Sequence, residues 1–307
     1  MFFVDLIPFL GMPAPLVLAI PVFNGERFLA ATLASLNAQG GAVRWWLQDA
    51  ASSDRTVEIA RSLARPGDTV VTEPDGGQAD ALNRARAEMG GDIIGFLNAD
   101  DLLTPDAAQR VLTFFEQNPH IDILHGSVEW IDEDGLVTGA HTGRIESLDD
   151  ILDIYGVWWS GRQWVQPEVF YRRSLWEKVG GFDTGYHLAF DYDFWVRCFL
   201  AGARASHVSA PLARFRLHAA QKSAAAGQAA DEIRAIVRRH LPGARIAPAR
   251  RWAIEAQLGY DLYQSGKSIT ARGEFLPELL RHPQWLLSPQ ARARAQAACA
   301  RLLIRAK

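Results

Sequence analysis

From residue 15 to residue 119 the chain alternates short apolar runs with longer runs of helical periodicity, and few folds satisfy that order. "PLVLAI", "VRWWLQ", "DTVVTE" and "DIIGFLN" read as strands. Between them, "GERFLAATLASLNAQ" sets Phe28, Leu29, Thr32, Leu33 and Leu36 at helical spacing. "SDRTVEIARSLA" reads as a helix capped by Ser53 or Asp54, and "GQADALNRARAEMG" as a helix ended by glycine. "TPDAAQRVLTFFEQNP" predicts a helix with Thr104 at the cap, Pro105 in the first position and Asp106 in the first turn. Strand-helix repetition of this kind predicts an α/β fold, an open, mostly parallel sheet with helices on both faces.

In such sheets ligands sit at the carboxyl ends of the strands. Four predicted strands deliver polar or acidic groups there: Pro21-Val22-Phe23-Asn24, Asp49, Glu73-Pro74-Asp75 and Asn98-Ala99-Asp100-Asp101. Asp and Asn populate turns, which accounts for one or two such ends but poorly for four. Ionised carboxylates are costly to bury without partners, so Asp100 and Asp101 must reach solvent or meet a cation. Carboxylates without cysteine favour a hard divalent ion such as Mg2+ or Mn2+, which keeps waters and binds substrate phosphates. A diphosphate ligand is therefore implied. "AIPVFNGE" holds a single glycine, which argues against a dinucleotide fingerprint, and no GxxxxGK[ST] loop is present.

Beyond residue 120 the pattern is mixed. "IDILHGSVEWIDEDGLVTGAHTG" reads as strand, turn and strand; "SLDDILDIY" as a short helix; "QWVQPEVFYRR" as a strand; "SLWEKVGG" as a helix. "DYDFWVRCFLAG" is a helix with Asp191 and Asp193 in its first turn, and "ARASHVSAPLARFRLH" returns as a strand. From residue 222 onward the chain reads as Ala- and Arg-rich helices, and "GYDLYQSGKSITARGEFLPELLRHP" fits a helix-turn-helix hairpin. The division expected is a catalytic domain over 1–221 and a basic helical extension over 222–307.

Net charge supports that division. The whole chain carries −3, but residues 222–307 hold 15 Lys+Arg against 6 Asp+Glu, a net of +9, leaving −12 on the first 221. Two cysteines about 100 residues apart exclude a disulfide framework and a structural zinc site, and fit a reducing, cytoplasmic setting. The first residues, "MFFVDLIPFLGMPAPLVLAI", lack a basic start and an uninterrupted apolar span; they read as an irregular arm, with Phe2, Phe3 and Phe9 available for a loose membrane contact.

Taken in order, "IPVFNGERFLAATLASLNAQ", "QDAASSDRT", "EPDGGQADALNRARAEMGGDIIGFLNADD" and "DYDFWVRCFLAG" resemble a family 2 glycosyltransferase of the GT-A fold, bacterial type. The similarity runs from about residue 16 to 223. Singly each motif is weak; the ordered set is specific.

The resemblance implies the following roles. Asp49 binds the nucleobase, while Pro21, Phe23 and Asn24 line the base and ribose pocket. Asp75, Gln78 and Asp80 flank the donor's ribose and sugar. Asn98-Ala99-Asp100 occupies the place of the family's D-x-D motif: Asp100 holds the metal, and Asn98 replaces the carboxylate that usually faces the ribose. Asp191 stands where the family has its catalytic aspartate, and His218 in "RFRLHAAQKS" is a metal or diphosphate ligand. Three departures from the family loop are evident: Ala50 and Ala51 replace glycines, and Arg55 replaces another, stiffening the loop and adding a phosphate or base contact.

Independently of any family, a carboxylate such as Asp191 can take the proton of an attacking sugar hydroxyl, or it can simply cap its helix. His218 can equally be a surface histidine after a strand. The tryptophans of "VWWSGRQW" suit a sugar or lipid face, or a core, and Gln166 is a candidate acceptor contact.

The activity implied is inverting transfer from a nucleotide-diphosphate sugar, with UDP favoured, to a glycan or lipid-linked acceptor, as in polysaccharide biosynthesis. No nucleic-acid partner is expected. The basic tail suggests peripheral contact with the cytoplasmic leaflet. Two other classes are less well matched. A sugar-phosphate nucleotidylyltransferase needs a glycine-rich, basic loop after the first strand, which "AIPVFNGERF" does not resemble. A non-catalytic glycan-binding protein predicts loss of Asp49, Asp100 and Asp191, all of which are present.

Overall fold

A computed structural model describes residues 16–219, 221, 226–264, 275–288 and 291–296. The N-terminal arm, the turn within the C-terminal hairpin and most of "SPQARARAQAACARLLIRAK" lie outside the described residues.

The first half follows the alternation: β1 (Leu16–Val22), α1 (Leu29–Asn37), β2 (Val43–Asp49), α2 (Thr56–Leu63), β3 (Thr69–Thr72), α3 (Gln78–Glu88) and β4 (Ile93–Phe96). β1 pairs in parallel with β2 on one side and β4 on the other, and β2 pairs in parallel with β3. Val22 lies opposite Asp49, and Asp49 opposite Thr72. Register therefore brings these strand ends level, and whatever follows them emerges at one edge.

β1 is buried along its whole length, as a parallel strand covered on both faces should be. Leu16, Leu18 and Ile20 pack with Leu29, Leu33 and Leu36 of α1 and with Val43, Trp45 and Leu47 of β2. Burying each such leucine contributes about 1.5–3 kcal/mol. Pro21 lies past the last β1–β4 pair, Ala19 with Phe96, so its missing N–H interrupts no ladder on that side.

The second half is mixed, as its pattern implied. β5 (Leu102–Leu103), α4 (Ala107–Gln117), β6 (Ile123–Ile131), β7 (Val137–His141), α5 (Leu148–Leu152), β8 (Val169–Arg172), α6 (Arg173–Val179), α7 (Phe190–Leu200) and β9 (Ala205–Arg216) follow. The sheet order is β3-β2-β1-β4-β8-β6-β9-β5, with β7 paired to β6. β8 is antiparallel to both β4 and β6, whereas β9 runs parallel to β6.

Two expectations shift in detail. α4 begins at Ala107, behind Asp106 in a left-handed conformation at φ 60°, and Thr104 is not its cap. The Thr104 hydroxyl donates to the Pro211 carbonyl (2.7 Å) and its N–H to Leu212 (3.1 Å), so β9 claims it for the sheet. "QWVQPEVFYRR" is not one strand: Gln166–Glu168 form a 3-10 turn containing Pro167, and β8 starts after it.

Two compact units emerge: 1–144 with 164–229, and 145–163 with 230–307. The second takes a segment from mid-chain. It contains α5, α9 (Pro248–Gln264), α10 (Phe275–Arg281) and most of α8 (Ala226–His240). Ser147 caps α5 by accepting from the Asp150 N–H (3.1 Å). Arg250 pairs with Asp153 (2.6 Å), while Asp261 receives Arg234 (2.9 Å) and the Tyr155 hydroxyl. Tyr260, Tyr263, Leu279 and Trp285 form its aromatic core. Of the tryptophans singled out, Trp158 and Trp164 are buried, and Trp159 lies beneath the Arg234 guanidinium. Among the described residues no helix is long and apolar enough to cross a membrane.

Candidate active site

Two loops close over the end of β1 and β2. Asn24, at φ 50°, accepts from the Ser53 N–H (3.0 Å) through its side chain, and its own N–H donates to Ser52 Oγ (2.8 Å). The Gly25 N–H donates to Thr56 Oγ1 (2.8 Å). Asp54 accepts from the N–H groups of Thr56 and Glu26, tying the start of α2 to the same loop. Asp49 is fully buried beneath these contacts, where it accepts from the Ser52 N–H (3.0 Å), the Ser52 hydroxyl and Thr72 Oγ1 (2.6 Å). Phe23, by contrast, is 65% exposed and offers an open ring at the sheet edge.

The next wall comes from α3. Gly77 precedes that helix at φ 111° and ψ 179°, a conformation essentially reserved for glycine. Asp75 accepts from the Gly77 N–H (2.8 Å). Asp80 accepts from the Gly76 N–H (2.9 Å) and pairs with Arg84 (2.8 Å); the Gly76 bond leads in holding its carboxyl below the usual range. Gln78 reaches across to β4's end, donating to Asn98 Oδ1 (2.7 Å).

At the end of β4 the two adjacent aspartates part company. Asp101 is 1% exposed and points inward, accepting from the Arg216 N–H (3.0 Å) and the Asn98 amide (3.3 Å). Burial, with the Asp100 charge added, pushes its carboxyl well above the usual range. Asp100 turns outward and remains half-buried. Its Oδ2 lies 2.9 Å from His218 Nε2, brought from beyond the end of β9. His218 is itself nearly buried against the Phe28 ring, and its Nδ1 has no partner among the described residues.

Asp191 occupies the first turn of α7, one residue inside the helix. Ala189, not Asp191, is the N-cap residue. Asp191 accepts from the Tyr192 N–H (2.7 Å) and is half-buried. Phe190, its neighbour, packs on Phe96 of β4 at 6.1 Å between ring centroids, which fixes this end of α7 beside the end of β4. Asp193 is the structural member of the pair: it is buried and bound to Arg197 (2.7 Å).

These contacts gather Phe23, Asn24 and Asp49 in one linked pair of loops, Gln78 and Asn98 in a second group, and Asp100 with His218 in a third. The sequence reading overlooked Ser52 and Thr72, which hold Asp49, and Arg216, which holds Asp101. Gln166, a candidate acceptor contact, is buried and donates to the Phe96 carbonyl. Period-two reasoning on "RFRLH" could have flagged Arg216, two residues before His218.

Residues 17–188, more than half of the chain, match the profile described as Glycosyl transferase family 2. The chain belongs to glycosyl transferase family 2. Relatives of this family 2 glycosyltransferase include the O-antigen biosynthesis protein RfbC of Myxococcus xanthus, 30% identical over 222 residues, which cover 69% of this chain but 16% of RfbC. The PGL/p-HBAD biosynthesis glycosyltransferase of Mycobacterium bovis (strain BCG / Pasteur 1173P2) is 31% identical over 194 residues, 61% of this chain and 71% of the relative. Among solved structures, S. aureus TarS 1-349 in complex with UDP-GlcNAc superposes with a TM-score of 0.62 at 18% identity, covering 89% of this chain and 78% of that one. The mannosyltransferase PcManGT from Pyrobaculum calidifontis, in complex with GDP-Man and Mn2+, gives 0.57 at 17% identity, covering 93% and 84%. The fold of this family 2 glycosyltransferase is thus the GT-A glycosyltransferase fold, as its motifs implied.

Proposed function

We propose that this family 2 glycosyltransferase moves a sugar from a nucleotide-diphosphate donor, with UDP favoured, to a glycan or lipid-linked acceptor, with inversion. The observation that carries the reading is the meeting of Asp100 and His218 across 118 residues of sequence at the same sheet edge as the Asn24 and Asp49 loops. Phe23 offers its ring to the base. Pro21 and Asn24 line the pocket, and Asp49 meets the base by giving up a hydrogen bond to Ser52 or Thr72. Asp75, Gln78 and Asp80 face the ribose and sugar, with Asn98 as an uncharged neighbour.

The donor set at Asp100 and His218 fits Mn2+ or Mg2+. One carboxylate oxygen and one imidazole nitrogen face each other at 2.9 Å, and Asp100 and His218 would hold the ion. Among the described residues no cluster of three or more His, Cys, Asp or Glu is arranged for a metal, so waters and the donor's diphosphate would complete the shell. Such an ion supplies positive charge to the departing diphosphate. Asp191 accepts the proton of the attacking hydroxyl, which makes a single displacement sufficient and inversion its outcome.

All of these residues lie within 1–221, the span assigned to catalysis, and 222–307 is assigned the role of a helical extension. Peripheral contact of that extension with an anionic cytoplasmic leaflet would present a lipid-linked acceptor. Arg234, Arg250, Arg251 and Arg292 are already committed to bonds inside the second unit, so that contact is expected to be weak and salt-sensitive. The test of the main reading is acceptor-free hydrolysis of nucleotide sugars with and without Mn2+. Slow, Mn2+-dependent release of nucleoside diphosphate and free sugar is expected, lost in Asp100→Ala. Metal-independent release, unchanged in Asp100→Ala, would defeat it.

A further inference from the structure

Arg216 is 4% exposed, and although its charge acts on the buried Asp101 carboxylate, among the described residues its guanidinium hydrogen-bonds no carboxylate. The guanidinium instead serves backbone oxygens: Nε donates to the Asp100 carbonyl (2.9 Å), and Nη1 to the carbonyls of Asp132 and Glu133 (2.9 Å each). Its backbone N–H donates to Asp101 Oδ1 (3.0 Å). The guanidinium lies 4.7 Å from the centroid of the Phe28 ring, the same ring that backs His218. One residue thus grips the acidic turn from two sides and joins it to the β6–β7 turn and to the start of α1.

A buried guanidinium whose hydrogen bonds go to neutral carbonyls is an expensive arrangement if the aim is stability alone. We infer that Arg216 is a positioning residue for the metal site. It fixes the backbone of Asp100 so that the carboxylate is held opposite His218, while Asp101 is drawn inward and removed from coordination. This rests on the metal reading of Asp100 and His218. Lysine cannot reproduce the arrangement, because one ammonium lacks the planar fork that spans separate carbonyls.

The experiment uses the full chain. Mn2+ alone, then Mn2+ with UDP, is titrated into the parent, Arg216→Lys, Arg216→Gln and Asp100→Ala, with the free ion followed by electron paramagnetic resonance. UDP binding without metal and melting temperature are recorded alongside, and affinity is read on the folded fraction. Loss of a group that orients a metal ligand typically weakens metal binding by about 10–100-fold. A loss in that range is expected for both Arg216 variants, with metal-free UDP affinity unchanged. Parent-like Mn2+ affinity in both Arg216 variants, with loss only in Asp100→Ala, would overturn the role of Arg216 and leave the metal reading standing. No Mn2+ binding by the parent would overturn both. Equal loss of metal-free UDP binding would make Arg216 a general structural residue and overturn the proposal as well.

Discussion

Asp100 and Asp101 are chemically identical and adjacent, yet one faces the crevice and the other is sealed beneath it. Asn98 matters because of that difference. Judged on sequence, Asn98→Asp looks harmless, since it restores the family's usual carboxylate. The geometry reverses that expectation: Asn98 Nδ2 donates to the buried Asp101 carboxylate at 3.3 Å. An aspartate there would remove the donor and set a second carboxyl against one that burial already disfavours in its charged form. Urea denaturation should show Asn98→Asp destabilised by about 1–3 kcal/mol, the cost of a buried acceptor left unmet. Asp191 carries the opposite expectation. Asp191→Asn keeps the shape and removes the proton acceptor, so turnover should fall by roughly 10²–10⁴-fold, with donor affinity little changed. Near-parental turnover would move the base elsewhere.

At the scale of elements, the parallel half was legible because each strand is a continuous apolar run and each helix has its own period. The deviations arise where tertiary partners override local signals. Thr104 has the chemistry of a cap, but β9 takes its hydroxyl. Pro167 sits inside an apolar run and turns three residues into a 3-10 segment before β8 can begin. Candidate site residues were legible where they follow strand ends, whereas their supports, Ser52, Thr72 and Arg216, come from neighbouring segments with no motif of their own. The loop after β2 shows a related effect. Ala51 adopts φ 60°, a conformation costing a non-glycine residue about 1–2 kcal/mol. Part of that gain is offset by the greater freedom of glycine in the unfolded chain, so Ala51→Gly should stabilise by at most about 1 kcal/mol. Chemical denaturation at fixed pH reads this directly, and a destabilised variant would show that the loop depends on the alanine methyl.

For the whole molecule, buried titratable groups set the pH range of stability. Burial pushes Glu168 up to about 8, opposed by the Val165 N–H that it accepts. Its folded value lies above its unfolded one, so its contribution is complete below about pH 4 and is lost as pH rises through about 8. His125 runs the other way: burial, with His207 adding, pushes it down to about 3, so its contribution is present above its unfolded value and lost as pH falls. Glu168→Gln should match the parent in acid and exceed its stability increasingly as pH rises from about 4 to about 8, as melting curves across pH would show. A second prediction concerns 145–163, which shares a unit with 230–307. A 1–221 fragment deletes Arg250 and Asp261, the partners of Asp153 and Tyr155. Limited proteolysis of that fragment should cut within 145–163, where the full chain resists.

The separation of 116 residues between Asp100 and Arg216 also has a consequence for biosynthesis. During translation the acidic turn leaves the ribosome long before β9 exists to hold it, and a parallel pairing between β6 and β9 cannot form until the intervening chain has been made. A nascent chain can shape the linked loops after β1 and β2 early, from residues no further along than Thr72. The proposed cation site waits for residues 216 and 218. On the proposed reading, any product truncated before them would keep the loops that line the base and lack the pair that holds the ion.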